Sequence, residues 1–225
     1  MKRYPPPETL PAGLLLALAG GILDAYSYLN RGQVFATAET GNLVLFSLHL
    51  ALRDWGAALR YLLPVLAFAA GVLAAELLRR SVRPATALSW QQSILLVECL
   101  VILAVSCLPQ GPLDRLANIL ISFTSAVQME SFRSFRGCAC ATTMCTGNLR
   151  SGTERLFRAL SAGDPDSRQD AGTCYGLIAC FAAGCVLSGL LSPLLRGRAV
   201  LAACAPLAAV FFLIRRPENR PSDSA

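Results

Sequence analysis

The sequence predicts an all-α membrane protein with about six transmembrane helices in two inverted three-helix repeats, each carrying a non-crossing Thr-Gly-Asn (TGN) half-helix segment. Three observations point to that class. Hydrophobic residues make up 54% of the chain and charged residues only 15%, with a mean hydropathy of +0.51, whereas soluble domains carry about 25% charged residues. The apolar residues fall in blocks long enough for a bilayer's hydrocarbon core, not in alternating stripes. A stretch of sequence also occurs twice.

The first block covers 11–30. The chain start, MKRYPPPETLPAGLLLALAGGILDAYSYL, has the positive end of a signal peptide, but Asp24 and the aromatics after it make a poor cleavage region. It reads as a retained helix behind a cytoplasmic segment, 1–10. Blocks 59–79 and 89–108 complete a first membrane repeat, 11–108, which Pro109, Gly111 and Pro112 bring to an end. Blocks 113–132, 173–195 and 198–214 make a second repeat, 113–214, with a polar connector at 161–172. The tail 215–225 reads as disordered and cytoplasmic.

The net charge of +6 is clustered: Lys2 and Arg3, then Arg79, Arg80 and Arg83, then Arg215, Arg216 and Arg220. Such clusters mark the cytoplasmic ends of spanning helices. Nucleic-acid binding would need basic residues on a folded polar face, and no such face is present. Cys99, Cys107, Cys180, Cys185 and Cys204 sit inside apolar blocks, where cysteine behaves as a small hydrophobe.

Duplication is the most informative feature. ATAETGNLVLF at 36–46 aligns with TTMCTGNLRSG at 142–152, an offset of 106 that also places Asp24 on Glu130. FAAG at 68–71 recurs at 181–184, offset 113, so the second copy has gained seven residues in its connector. Arg150, Glu154, Arg155 and Arg158 follow the second TGN, and each charge at the bilayer centre costs at least ~2.5 kcal/mol. Each TGN segment is therefore expected to be partial or re-entrant. With six crossings and both termini inside, 14 of the 20 positive residues face the cytoplasm. Three crossings per copy is odd, so the second copy must enter from the opposite side.

GILDAYSYL at 21–29 followed by VFATAETGNLVLF at 34–46 resembles the YoaK-type family of bacterial multi-spanning membrane proteins, a domain-of-unknown-function group. The resemblance covers roughly 12–214 and implies location and fold more than activity. The second copy retains Gln128, whereas Glu130 stands where relatives more often have an amide.

The main site candidates are Thr40, Gly41 and Asn42 with Thr146, Gly147 and Asn148. A Thr or Asn at a helix start can cap free amides, and helix N-termini favour anions. The alternative is a cap-and-packing motif of small residues. Asp24 lies deep in the first block, and intramembrane carboxylates are functional candidates by default. Glu130 is the weaker partner because Arg133 and Arg136 are near it. Glu98 is a buried carboxylate without a matched copy, and Glu39 precedes the first TGN where Cys145 precedes the second. Cys138, Cys140 and Cys145 form a C-x-C-x4-C cluster, expected to be small thiols at helix contacts and not a metal site. Tyr26, Tyr28, Trp55 and Trp90 read as interfacial or packing aromatics.

No hydrolase constellation, phosphate loop or dinucleotide fingerprint is present, which ranks an enzyme last. No cofactor is expected. The leading expectation is a small transporter or facilitator of a polar or anionic solute in the bacterial inner membrane. A non-transporting scaffold is the rival, and homo-oligomerisation suits either.

Overall fold

A computed structural model describes residues 5–81 and 88–214. The charge clusters at Lys2 and Arg3 and at Arg215, Arg216 and Arg220, Arg83, and the expected disorder of 215–225, lie outside the described residues. The fold is all-α: α1 (Leu10–Asn30), α2 (Glu39–Ala51), α3 (Trp55–Ser81), α4 (Trp90–Cys107), α5 (Asp114–Ser131), α6 (Cys145–Ala162), α7 (Pro165–Leu195) and α8 (Cys204–Leu213). A 3-10 stretch, Arg196–Ala203, leads into α8, and β1 (Ser134–Phe135) pairs with β2 (Cys138–Ala139) in a small hairpin after α5.

Local chemistry accounts for several boundaries. Ser89 and Gln92 form a reciprocal capping box at the start of α4. Gly163, at φ +65°, ends α6 in the left-handed conformation that glycine tolerates. The Asp164 side chain then accepts from Asp166 N at 3.1 Å and starts α7. This helix begins eight residues before the expected block at 173, so the polar connector shrinks to Gly163 and Asp164. Its first two turns, with Asp166, Arg168 and Asp170, are helix outside an apolar layer. The start of α3 likewise precedes 59 and lies at Trp55.

By length and composition, Leu10–Asn30, Trp55–Arg79, Trp90–Cys107 and the run Pro165–Leu213 are apolar enough to cross a membrane. Leucines on α3 (Leu66, Leu73), α4 (Leu96, Leu100) and α7 (Leu190, Leu194) are exposed, as a lipid-facing surface requires. α5 is more polar, but its Asn118, Ser122, Ser125 and Gln128 all point inward and are buried. α1 is the central helix, buried from Ala12 to Ser27 along most of its length. Its small residues permit close approach to α7: a Cβ at Gly21 would lie 2.0 Å from Phe181 O, and one at Gly184 would lie 2.2 Å from Leu18 O.

Contacts between helix ends fix the directions. Gly176 meets Leu14, Gly184 meets Leu18, and Asn30 donates to Ser192 Oγ at 2.8 Å, so α1 and α7 run parallel. Arg115 reaches Gly56 O at 3.3 Å while Arg133 pairs with Glu76, so α3 and α5 also run parallel. Arg31 after α1 pairs with Asp114 at the start of α5, and Arg136 N after α5 donates to Glu8 O before α1. α1 and α5 are therefore antiparallel. Gln92 at the start of α4 donates to Phe211 O near the end of α8 at 3.2 Å, so these two are antiparallel as well.

Candidate functional site

The loop 31–38 leaves the end of α1 and turns back along it. Arg31 holds the turn: fully buried, it pairs with Asp114 at 3.2 Å and donates to the carbonyls of Val105 (2.9 Å), Leu108 (3.0 Å) and Pro109 (3.1 Å). It thus gathers three carbonyls at and just beyond the end of α4, where the helix leaves acceptors exposed. Tyr26, also buried, donates its hydroxyl to Gly197 O at 3.0 Å and accepts from Arg31 Nε at 2.8 Å. It is a core aromatic and not an interfacial one. Farther along the loop, Ala36 N donates to Ser27 Oγ at 3.1 Å and Thr37 N to Asp24 Oδ1 at 2.7 Å. The loop therefore reaches six residues, or about 9 Å of helix rise, back from the end of α1 at Asn30 before α2 begins.

Asp24 is buried, and its other oxygen, Oδ2, has no hydrogen-bond partner among the described residues; the same holds for the buried Thr37 hydroxyl. Glu39, the first residue of α2, lies within electrostatic reach of Asp24. Its carboxylate accepts from Asn42 Nδ2 at 2.9 Å, and the Ser122 hydroxyl of α5 sits 2.8 Å from both Glu39 Oε1 and Pro64 O of α3. Four helices thus converge on the Asp24–Glu39 pair.

The TGN motifs do not cap their helices. The residues before α2 and α6 are Ala38 and Met144, with no side-chain cap bond, and Thr40 and Thr146 are exposed. The Asn residues act backwards instead. Asn42 accepts from Phe35 N at 3.1 Å and donates to Phe35 O at 2.5 Å. Asn148 donates to Ala141 O at 2.7 Å, the same seven-residue span. Each buried amide ties the re-entering loop to its helix, satisfying backbone that a water-poor site would leave unpaired. Gly41 packs against the Phe35 ring, where a Cβ would come within 2.8 Å of the ring, whereas a Cβ on Gly147 would meet nothing within 4 Å.

The second copy is built differently around the same staple. Glu130, the match of Asp24, turns to Arg133 in an ion pair instead of accepting from the amide of Thr143, the match of Thr37. The loop before α6 nevertheless reaches α1: Thr143 packs on Gly20, where a Cβ would lie 2.5 Å from the Thr143 methyl, and Cys145 lies within electrostatic reach of Asp24. Glu130, Gly147 and Asn148 line a cleft of about 470 Å³ with Met129, Arg133 and Cys140. Glu98 and Gln128 form a separate buried pair, Gln128 Nε2 donating to Glu98 Oε2 at 2.7 Å. Glu98 Oε1 has no partner among the described residues.

The cysteine cluster differs from its sequence spacing. Cys138 and Cys140, on the hairpin, meet Cys174 of α7, and Cys145 is not in the group. The missing thiol is 34 residues beyond Cys140, so no spacing rule could have selected it. Arg155 of α6 donates to Cys138 Sγ and lies 3.3 Å from Cys174 Sγ. The hydrogen bond from Cys140 lowers the Cys138 thiol below the usual range against the opposing effect of burial, and the Arg155 charge adds to the lowering.

A relative in Bacillus subtilis (strain 168), described as UPF0700 transmembrane protein YoaK, is 29% identical over 154 residues, covering 64% of this chain and 67% of that protein. No solved structure matches the chain. The family model described as "Protein of unknown function (DUF1275)" matches residues 12–213, and the chain belongs to that family of membrane proteins.

Proposed function

We propose that this protein is a small secondary transporter or facilitator of a polar solute in the bacterial inner membrane, with its site at mid-depth on α1 around Asp24. One observation carries the reading: the loops leading into both TGN helices come to the same short stretch of α1. Thr37 N reaches Asp24 from one end of the molecule and Thr143 packs on Gly20 from the other. Paired broken helices meeting at mid-depth are the pattern of transporter sites.

An inverted-repeat plan with six crossings supports this. α1 and α5 run in opposite directions, as do α4 and α8, and the FAAG glycines Gly71 and Gly184 make matching contacts. Each FAAG glycine presses on the first helix of the other half: a Cβ on Gly71 would lie 2.5 Å from Phe123 O, as one on Gly184 would lie close to Leu18 O. The segment 31–54 leaves α1 and returns to α3 at one end, since Gly32 lies beside Arg60. α2 then enters and exits the same face, and its 13 residues span about 20 Å, less than the ~30 Å hydrocarbon core. The described chain ends, near Glu8 and Ile214, lie at the end of the molecule that holds Gln92 and Arg133. Placing that end in the cytoplasm satisfies the positive-inside rule.

The chemistry narrows the solute. The first helix start already faces two carboxylates, Asp24 and Glu39, so an anion is disfavoured there and a proton, a cation or a hydrogen-bond-donating neutral solute is favoured. Asp24 Oδ2 and the Thr37 hydroxyl beside it supply buried polar atoms for it. In proteoliposomes loaded with a pH dye and given a proton gradient, wild type should admit protons faster than empty vesicles, and more so with a co-transported solute from a panel of amines and amino acids. Asp24→Asn should return the rate to background while melting like wild type. A wild-type rate equal to empty vesicles across the panel would favour the scaffold and end the transport proposal.

A further inference from the structure

Away from Asp24, three thiols converge where the hairpin, α6 and α7 meet. We propose that Cys138, Cys140 and Cys174 form a three-thiolate binding site for a soft monovalent cation of the copper(I) class. The three are buried, at 1%, 5% and 0% exposure, and come from two parts of the chain. Their sulfurs are 2.7 Å (Cys138–Cys140), 3.6 Å (Cys140–Cys174) and 4.0 Å (Cys138–Cys174) apart. A metal held by three sulfurs at about 2.3 Å places them about 4.0 Å from one another. Two edges of that triangle are close to the required length. The third needs the hairpin thiols to spread by about 1.3 Å, which a side-chain rotation supplies.

The donor set selects the ion. The group is sulfur alone, with no imidazole or carboxylate in it. The single histidine of the chain, His49, lies in α2 beside Asp54 at 3.4 Å. Zinc structural sites call for four ligands, whereas a soft, filled-shell monovalent ion accepts three thiolates. Three thiolates around a monovalent cation leave net negative charge, and Arg155 is placed to offset it, donating to Cys138 Sγ with Cys174 Sγ at 3.3 Å. On binding, a sulfur–metal bond forms at each thiol, and every thiol still protonated gives its proton to water; no electrons are exchanged. Cys140 also lines the 470 Å³ cleft, which gives the ion a way in. Bound there, the ion would fasten the hairpin to α7 beside the second TGN helix.

The test uses reduced, full-length protein in detergent under anaerobic conditions, titrated with copper(I) against a chelating competitor. Alkylation followed by peptide mass spectrometry reads each cysteine separately, so the wild-type protein suffices. One equivalent should protect Cys138, Cys140 and Cys174 and leave the exposed Cys107 as reactive as before. Cys174→Ala should lower affinity by at least about 100-fold, and Arg155→Gln by about tenfold with the same three thiols protected. Protection spread evenly over the nine cysteines would mean adventitious copper only. A Cys138–Cys140 disulfide that persists under reduction would also overturn the site, and equal protection by zinc(II) would overturn the copper(I) assignment.

Discussion

Removing the Asn42 amide tests whether the TGN motif is a loop staple. In Asn42→Ala, Phe35 N–H and C=O lose their partners at 3.1 and 2.5 Å, and Glu39 loses a donor at 2.9 Å. Each buried group left unpaired costs about 1–3 kcal/mol. Side-chain hydrogen bonds in membrane proteins average nearer ~0.6 kcal/mol because the altered state finds other partners. Three lost partners then amount to about 2–4 kcal/mol. Asn148→Ala loses only the bond to Ala141 O at 2.7 Å, about 1 kcal/mol by the same scale. At about 2–4 °C per kcal/mol for a chain of this size, melting should fall by about 4–16 °C for Asn42→Ala and about 2–4 °C for Asn148→Ala. Tryptophan fluorescence of Trp55 and Trp90 during thermal unfolding in detergent measures both. Equal shifts, or a larger one for Asn148→Ala, would refute the staple.

Other expectations follow from the same packing. Gly184→Ala places a Cβ 2.2 Å from Leu18 O and should destabilise by about 1–3 kcal/mol, whereas Gly189→Ala, with nothing within 4 Å, should be neutral or slightly stabilising in the same melt. Arg31→Met leaves Asp114 and three α4-end carbonyls without their cation. It should destabilise by about 3–5 kcal/mol, and loss of folded protein on size-exclusion chromatography would show it. Gln128→Leu should cost about 1–3 kcal/mol by stranding the buried Glu98 carboxyl, and Glu98→Gln/Gln128→Glu together should recover most of it.

The helices at the expected blocks were legible because most of those blocks are continuous apolar runs. α4 and α5 fall within one residue of 89–108 and 113–132 at each end. α5 was legible despite its polarity because prolines and glycine mark its start and the duplication aligns it with α1. Helix starts outside the apolar layer were not: Pro165–Gly172 is charged, and its Asp164 cap is a local signal that hydropathy does not weigh. The TGN residues were expected to cap their helices, with a solute site or close packing as the outcome, and the capping is absent. A Thr and an Asn near a helix start suggest caps, yet the Asn side chains here reach backwards to a loop, a contact that depends on where that loop lies. Nothing in the sequence around Arg31 marks it as buried, and only the meeting of α1, α4 and α5 makes it a clamp. Cys174 was likewise outside any sequence window around Cys138.

The central claim is that α2 and α6 return to opposite faces of the membrane. Lys2 is the chain's single lysine, so new lysines can be read by an impermeant amine reagent against a low background. Arg53→Lys sits in the turn after α2 and Ser161→Lys in the last turn of α6, both exposed. In intact spheroplasts, Arg53→Lys should label at once, while Ser161→Lys should label only after permeabilisation, together with Lys2. Both lysines labelling from one side would contradict the claim.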